Sequence, residues 1–159
     1  QHVTEAEFGH FGAAESSQNA LVEAGVSLDD VDIFGIYDSF TVTLAILLEE
    51  IGIAPEGGAG KMAAQGAFSA DGQYPLNLHG GLLSYGHSGV AGGMAHLAEV
   101  VSQLRGEAGA RQVRRAAPDS APRRGLVHAD GGVLSAHVSL VVGGDTTQAA
   151  TGKVNHHER

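Results

Sequence analysis

The sequence contains no cysteine and no tryptophan, only four prolines, and half as many basic as acidic residues. Without a thiol, these residues supply no disulfide, no thiolate metal site and no cysteine nucleophile. Nine lysines and arginines against eighteen aspartates and glutamates give a formal charge of −9, which argues against binding to a phosphate backbone. No apolar run approaches the roughly 20 residues of a membrane span, and the N-terminus lacks a basic-then-apolar signal pattern. A soluble protein is expected, and the cytoplasm fits best. Its 159 residues suffice for one domain with a real core.

Glycine, by contrast, is abundant, with 24 residues. Residues 80–93 read GGLLSYGHSGVAGG and set His87 between glycines just ahead of an apolar pattern. Val90, Met94, Leu97, Val101 and Leu104 recur at helical spacing, so a helix is expected from about Gly89 to Arg105, with Ser88 as its N-cap. His87 then sits at the helix mouth. The unpaired N–H groups there disfavour imidazolium, which keeps the ring neutral and suits a general base. Gly89, Ala91, Gly92 and Gly93 weaken the helix, a cost explained if a backbone or ligand must approach closely.

Along the chain, residues 1–12 form a polar segment that opens on Gln1 rather than Met and reads as the start of an excised piece. A weakly amphipathic helix follows over 13–25. Residues 31–37 (VDIFGIY) make a strand that runs into a strong helix through Phe40, Leu44, Leu47, Leu48 and Ile51, a strand-to-helix turn where α/β proteins commonly place chemistry. A break at 55–60, a short helix or loop at 61–68 and an irregular stretch at 70–78 lead to the glycine-histidine segment. Arg105, Arg111, Arg114, Arg115, Arg123 and Arg124 cluster in a connection read as solvated. Two β-rich runs, 125–129 and 134–142, flank Asp130-Gly131-Gly132 and should form an antiparallel hairpin. Residues 145–159 are polar; Asn155-His156-His157 there reads as part of a mobile tail, not a metal site. The main domain therefore runs over 13–144. Three strands are too few for this much helix, consistent with a sheet that lacks its beginning.

Four segments together, VDIFGIYDSF (31–40), GGLLSYGHSG (80–89), QLRGEAGARQV (103–113) and GLVHADGG (125–132), resemble the C-terminal half of a thiolase-fold protein. The nearest branch is that of the sterol-carrier-protein-type and lipid-transfer-protein-like thiolases of actinobacteria. The resemblance implies a layered α/β fold, βαβαβαββ with a mixed sheet, of which this chain lacks the first strand. It implies carbon–carbon bond formation or cleavage on an acyl-CoA, with the nucleophilic cysteine in the other half of the fold. Coenzyme A thioester would be substrate, with no permanently bound cofactor and no metal.

Carried over by motif, His87 matches the histidine of the family's GHP loop, which activates the nucleophile and lines an oxyanion hole. Tyr37-Asp38-Ser39-Phe40 matches the NEAF loop, HDCF or YDCF in the sterol-carrier branch, so Tyr37 stands where a polar group orients water or the substrate carbonyl. His128 falls where ordinary thiolases carry the CxG cysteine, and would be the base at the α-carbon. Tyr85 precedes the histidine motif and adds a second phenol.

Three readings follow from the resemblance. The first is an acyl-CoA acyltransferase of lipid or sterol side-chain metabolism, inactive without its N-terminal half and homodimeric as the full-length protein. The second is a thiolase-fold retro-aldolase of a β-hydroxyacyl-CoA that works with a small OB-fold partner; Tyr37 and Tyr85 would be its acid/base groups, helped by a neighbour such as His87 because a phenol titrates near pH ~10. The third is a non-catalytic lipid-binding or assembly half-domain. Each candidate also has a plain structural reading: His87 as a solvated loop residue at a helix start, Tyr37 as a core tyrosine, Tyr85 as packing or substrate lining, and His128 as a buried strand-end residue. His79 is read as a structural hydrogen bonder, and His96 and His137 as ordinary packing or surface residues.

Overall fold

The computed structural model describes residues 11–113, 122–132 and 134–143. Its elements run α1 (Ala13–Ala24), β1 (Ile33–Ile36), α2 (Thr41–Ile51), α3 (Ala59–Ala64), α4 (Gly81–Tyr85), α5 (Gly92–Leu104), β2 (Arg124–Gly131) and β3 (Ala136–Gly143). The polar segments expected at either end lie outside the described residues apart from Phe11 and Gly12, as does most of the arginine-bearing connection beyond Val113.

The sheet has the order β1-β2-β3. β1 pairs in parallel with β2, from Ile33 opposite Gly125 to Ile36 opposite His128. β2 and β3 form the expected antiparallel hairpin, from Arg124 opposite Gly143 to Gly131 opposite Ala136. The stretch 70–78 is less irregular than its sequence suggests: Phe34 N–H donates to the Pro75 carbonyl and Asn77 N–H to the Phe34 carbonyl, which lays Leu76 along the free edge of β1.

Strand side chains alternate between faces, and the two faces bury different partners. Phe34, Ile36 and Leu126 pack with Leu21 of α1 and Leu47 and Leu48 of α2. Ile33 and Val127 pack with Val100 of α5 and with Val113. The result is a mixed sheet between helical layers, the layered α/β arrangement that the resemblance implies. All four residues of β1 are buried, as a strand covered on both faces requires.

The main helix after His87 departs from expectation at its start. The chain makes a single 3₁₀ turn at Gly89–Ala91 before α5 begins at Gly92. Ser88 makes no capping hydrogen bond through its side chain; the ring of His87 takes the Gly89 N–H instead. The small residues have the anticipated purpose: a Cβ on Gly92 would stand 3.0 Å from the Tyr37 hydroxyl, and one on Gly93 would stand 2.8 Å from the Ala129 Cβ. Among the described residues no helix is long and apolar enough to cross a membrane.

Candidate active site

Tyr37 leaves the end of β1 and lies beneath the start of α5, with only 8% of its surface exposed. Its hydroxyl oxygen lies 2.7 Å from His87 Nε2, and the two rings meet edge to face. The other nitrogen of the imidazole settles the direction of this bond. Gly89 N–H donates to His87 Nδ1 at 3.0 Å, so Nδ1 is an acceptor and carries no hydrogen. The ring is then a neutral imidazole with its hydrogen on Nε2, and it donates to the Tyr37 oxygen. Tyr37 keeps its own O–H for another acceptor.

The sequence reading had His87 lower the barrier for a phenol to work near neutrality. A hydrogen bond donated by His87 Nε2–H favours the phenolate as expected, but other groups act against it. Burial, then the charges of Asp130 and Asp38, push the Tyr37 phenol above its usual value, so it persists as O–H. The His87 Nε2–H facing the phenol oxygen is placed where it would also hydrogen-bond a phenolate.

Behind Tyr37 lies a buried polar cluster to which the motif reading assigned no function. Asp38 Oδ1 accepts the Leu82 N–H at 2.8 Å and Oδ2 the Leu83 N–H at 3.4 Å, tying the end of β1 to α4. Its Oδ1 also lies 3.3 Å from Nε2 of His96, which is fully buried on α5, although the contact lacks hydrogen-bond alignment. Burial pushes the Asp38 carboxyl up, but His96 and the two amides outweigh it and hold the group below its ordinary value. His96 is thus packed in the interior, as one of its two expected roles had it, with a carboxylate beside it. One turn on, Glu99 pairs with Arg111 at 3.0 Å and accepts from Gln103. His79, expected to be a structural hydrogen bonder, makes no hydrogen bond through either ring nitrogen; it packs edge to face on His96.

Tyr37 and His87 line a cavity of about 1100 Å³ between the start of α5 and the β2–β3 hairpin. Its walls are mostly apolar, with Phe40, Met94, Leu97, Val138 and Leu140 prominent. Ser39, where the sterol-carrier branch has cysteine, is also on the wall, as are Asp130 and His137.

Two candidates from the sequence do not join Tyr37 and His87 there. Tyr85 is 68% exposed at the end of α4 and leans on the ring of His79, away from the cavity wall. His128 is fully buried: strand alternation turns it, with Leu126, away from the α5 face. There Nδ1 lies 2.8 Å from the Ser139 hydroxyl, which in turn contacts Ser16 and Ser17 of α1. Nε2 lies 3.2 Å from Nδ1 of His137, on whose ring His128 stacks. Burial, then the neighbouring His137, lowers the His128 pKa to about 4, so the ring is neutral at physiological pH.

Asp130 and His137 are the residues on the cavity wall that the motif reading passed over. Asp130 offered a signal, an acidic residue just before a glycine pair at a hairpin turn. His137 offered none, since its place depends on strand register. Among the described residues no group of three or more histidines and carboxylates is placed to hold a metal ion.

The fold has counterparts in known proteins. The Thiolase C-terminal domain-like family model matches residues 1–144. The chain is 36% identical over 105 residues to sterol carrier protein 2 of Rattus norvegicus, covering 66% of this chain and 19% of that protein. It is 38% identical over 112 residues to 17-hydroxy-3-oxo-4-pregnene-20-carboxyl-CoA lyase of Mycobacterium tuberculosis, covering 66% of this chain and 28% of the lyase. Among solved structures it superposes on the Ltp2-ChsH2(DUF35) aldolase with a TM-score of 0.73 and 28% identity, over 92% of this chain and 36% of that one. The chain thus spans between about a fifth and about a third of the length of these relatives. A family match over this span, with the helix-flanked mixed sheet and the histidine loop against the end of β1, places the chain in the thiolase C-terminal domain-like family.

Proposed function

We propose that the protein carrying this chain cleaves a carbon–carbon bond of a β-hydroxyacyl-CoA by a retro-aldol route, with Tyr37 as proton donor and His87 as the group that backs it. The observation that carries this reading is the tautomer of His87. With Nδ1 occupied by the Gly89 N–H, Nε2–H points at the phenol oxygen and leaves the Tyr37 O–H free for the substrate.

In such a cleavage the β-hydroxyl loses its proton and becomes a carbonyl. The electron pair of the Cα–Cβ bond passes to the α-carbon as a thioester enolate, and Tyr37 O–H protonates that carbon. The route needs no cysteine, in keeping with a chain that has none. A lyase of a carboxyl-CoA and an aldolase among the similar proteins point the same way. The apolar cavity suits a bulky lipid or steroid-like acyl group. Coenzyme A thioester is then the substrate, with no permanently bound cofactor. The remaining elements of the reading are the other thiolase-fold half, a homodimer, a small OB-fold partner and a cytoplasmic setting.

A second reading, acyl transfer as in ordinary thiolases, rests on the exposure of His87, whose ring can turn from Tyr37 toward a thiol supplied from outside this chain. Alkylating the thiols of the intact protein separates the two. Aldol cleavage of a β-hydroxyacyl-CoA, followed by release of the carbonyl product, should survive alkylation, and acyl transfer should not. Tyr37→Phe should lower the cleavage rate by about 10²–10⁴-fold, the usual scale of a lost acid. Cleavage that disappears on alkylation, or is indifferent to Tyr37→Phe, overturns the proposal. An intact protein that binds acyl-CoA and turns over neither substrate leaves the third reading, a lipid-binding or assembly domain.

A further inference from the structure

The chemistry proposed above requires the Tyr37 hydroxyl and the His87 ring to stay within hydrogen-bond reach, yet the two residues sit on different segments. Tyr37 follows β1, and His87 follows α4. A misplacement of about 1 Å at a reacting group costs roughly 100-fold in rate. The ties between the two segments therefore decide whether the pair works.

Asp38, the residue after Tyr37, makes one tie through the amides of α4. Ile36, the residue before it, receives another. On the free edge of β1, Phe34 N–H donates to the Pro75 carbonyl and the Phe34 carbonyl accepts the Asn77 N–H. Ile36 is the next residue to present its N–H and C=O on that edge, but the neighbouring chain has by then turned away. Asn77 adopts φ of 46°, and the Gly80 N–H closes a turn on its carbonyl at 2.8 Å.

The Asn77 side chain takes the place of a strand neighbour. Its Oδ1 accepts the Ile36 N–H at 2.9 Å, and its Nδ2 donates to the Ile36 carbonyl at 2.7 Å. A primary amide offers one acceptor and one donor in a plane, the same pair that a peptide group offers. Asparagine also enters the left-handed backbone region more readily than other side chains. On the opposite edge, Tyr37 N–H donates to the His128 carbonyl at 3.0 Å, so the link between Ile36 and Tyr37 is held from both sides. From Asn77 the chain runs through the turn and α4 to His87.

We infer that Asn77 is a positioning residue for the cleavage: its amide clamps Ile36 and so fixes Tyr37 relative to the segment that carries His87. The inference rests on the retro-aldol reading for the chemistry that Tyr37 performs. Asn77 is not on the cavity wall and acts only through the backbone of Ile36.

The test uses the intact protein, with β-hydroxydecanoyl-CoA and a cyclohexanol-bearing β-hydroxyacyl-CoA as probes and ¹³C-labelled tyrosine as a reporter. The Tyr37 Cζ resonance is identified by its loss in Tyr37→Phe. His87→Ala shows where it moves when the hydrogen bond from His87 is gone. Asn77→Gly accepts the left-handed backbone without strain and removes only the amide. Asn77→Asp keeps the length and the acceptor for the Ile36 N–H but sets an oxygen against the Ile36 carbonyl. Both variants should lower kcat at least tenfold with KM within threefold of wild type, and shift the Tyr37 resonance toward its position in His87→Ala. A wild-type resonance with kcat within threefold in either variant overturns the assignment and leaves the retro-aldol reading standing. A lowered kcat with an unmoved resonance makes Asn77 merely structural and also overturns it. Wild-type protein that cleaves neither probe removes the retro-aldol reading itself, and the resonance in Asn77→Gly still decides whether the clamp places Tyr37 against His87.

Discussion

At the scale of single residues, the orientation of one hydrogen atom decides what His87 can do. A general base needs a free lone pair facing its substrate, whereas His87 spends its lone pair on the Gly89 N–H and presents Nε2–H to Tyr37. Two substitutions separate these roles. His87→Ala removes both and should cost turnover by orders of magnitude while leaving the fold largely intact, since the ring is exposed. His87→Gln retains an amide N–H within reach of the phenol but cannot act as a base. If His87 serves as a donor, the Gln variant should keep at least ten times the activity of the Ala variant in a kcat assay on a β-hydroxyacyl-CoA. Equal loss in both would return His87 to the role of base. The histidine and tyrosine were legible in the sequence because each stands in a recognisable motif. The tautomer was not, because it depends on a backbone N–H that faces the ring only after the chain makes a 3₁₀ turn instead of the capped helix start that Ser88 suggested.

At the scale of elements, the site depends on how α4 is fastened to the end of β1. Asp38 receives two amides from the first turn of α4, and the five residues of that helix lead directly to Gly86 and His87. Gly81 makes the fastening possible: it has φ of 67°, and a Cβ there would stand 2.0 Å from Asp38 Oδ2. Gly81→Ala should therefore destabilise the protein by about 2 kcal/mol or more, from a left-handed backbone combined with a clash against a fixed carboxylate. Asp38→Ala leaves the buried Leu82 N–H without its acceptor, which costs about 1–3 kcal/mol. It should lower kcat with little change in acyl-CoA affinity, because His87 loses its register while the cavity wall stays. Denaturant unfolding with steady-state kinetics checks both, and an Asp38→Ala variant with wild-type kcat would show that α4 does not set the position of His87. The elements themselves were readable from periodicity: β1, α2, the body of α5 and the hairpin fall where their apolar patterns place them, and only the start of α5 is displaced. The separation of His128 from His87 needed the strand's faces to be assigned. The residue type fits catalysis, but alternation with Val127 and Ala129, which face α5, turns it into the opposite layer.

At the scale of the whole molecule, the pair His128 and His137 beneath α1 gives the fold a dependence on pH. In the unfolded chain His128 recovers an ordinary histidine pKa near 6.5, whereas in the native protein burial, and next His137, depress it to about 4. Above pH ~6.5 the ring is neutral in both states and its contribution to stability is fully present. As pH falls through the interval from 6.5 to 4, the unfolded chain binds a proton that the folded one refuses, and stability declines. The gap corresponds to on the order of 3 kcal/mol over the whole interval, and roughly 2 kcal/mol of it should be lost between pH 7 and pH 5. His79, also lowered by burial first of all, acts in the same direction. Asp38 and Glu99, both held below the ordinary carboxylate value, weaken the fold only as pH falls below that range, outside this window. Urea unfolding of the wild type and of His128→Asn at pH 7, 6 and 5 tests the assignment. The Asn side chain keeps a polar partner for Ser139 without titrating, so its stability should fall by roughly 2 kcal/mol less than that of the wild type over this span. Parallel losses in the two proteins would mean that the acid sensitivity lies elsewhere, with His79 beneath α5 as the next group to replace.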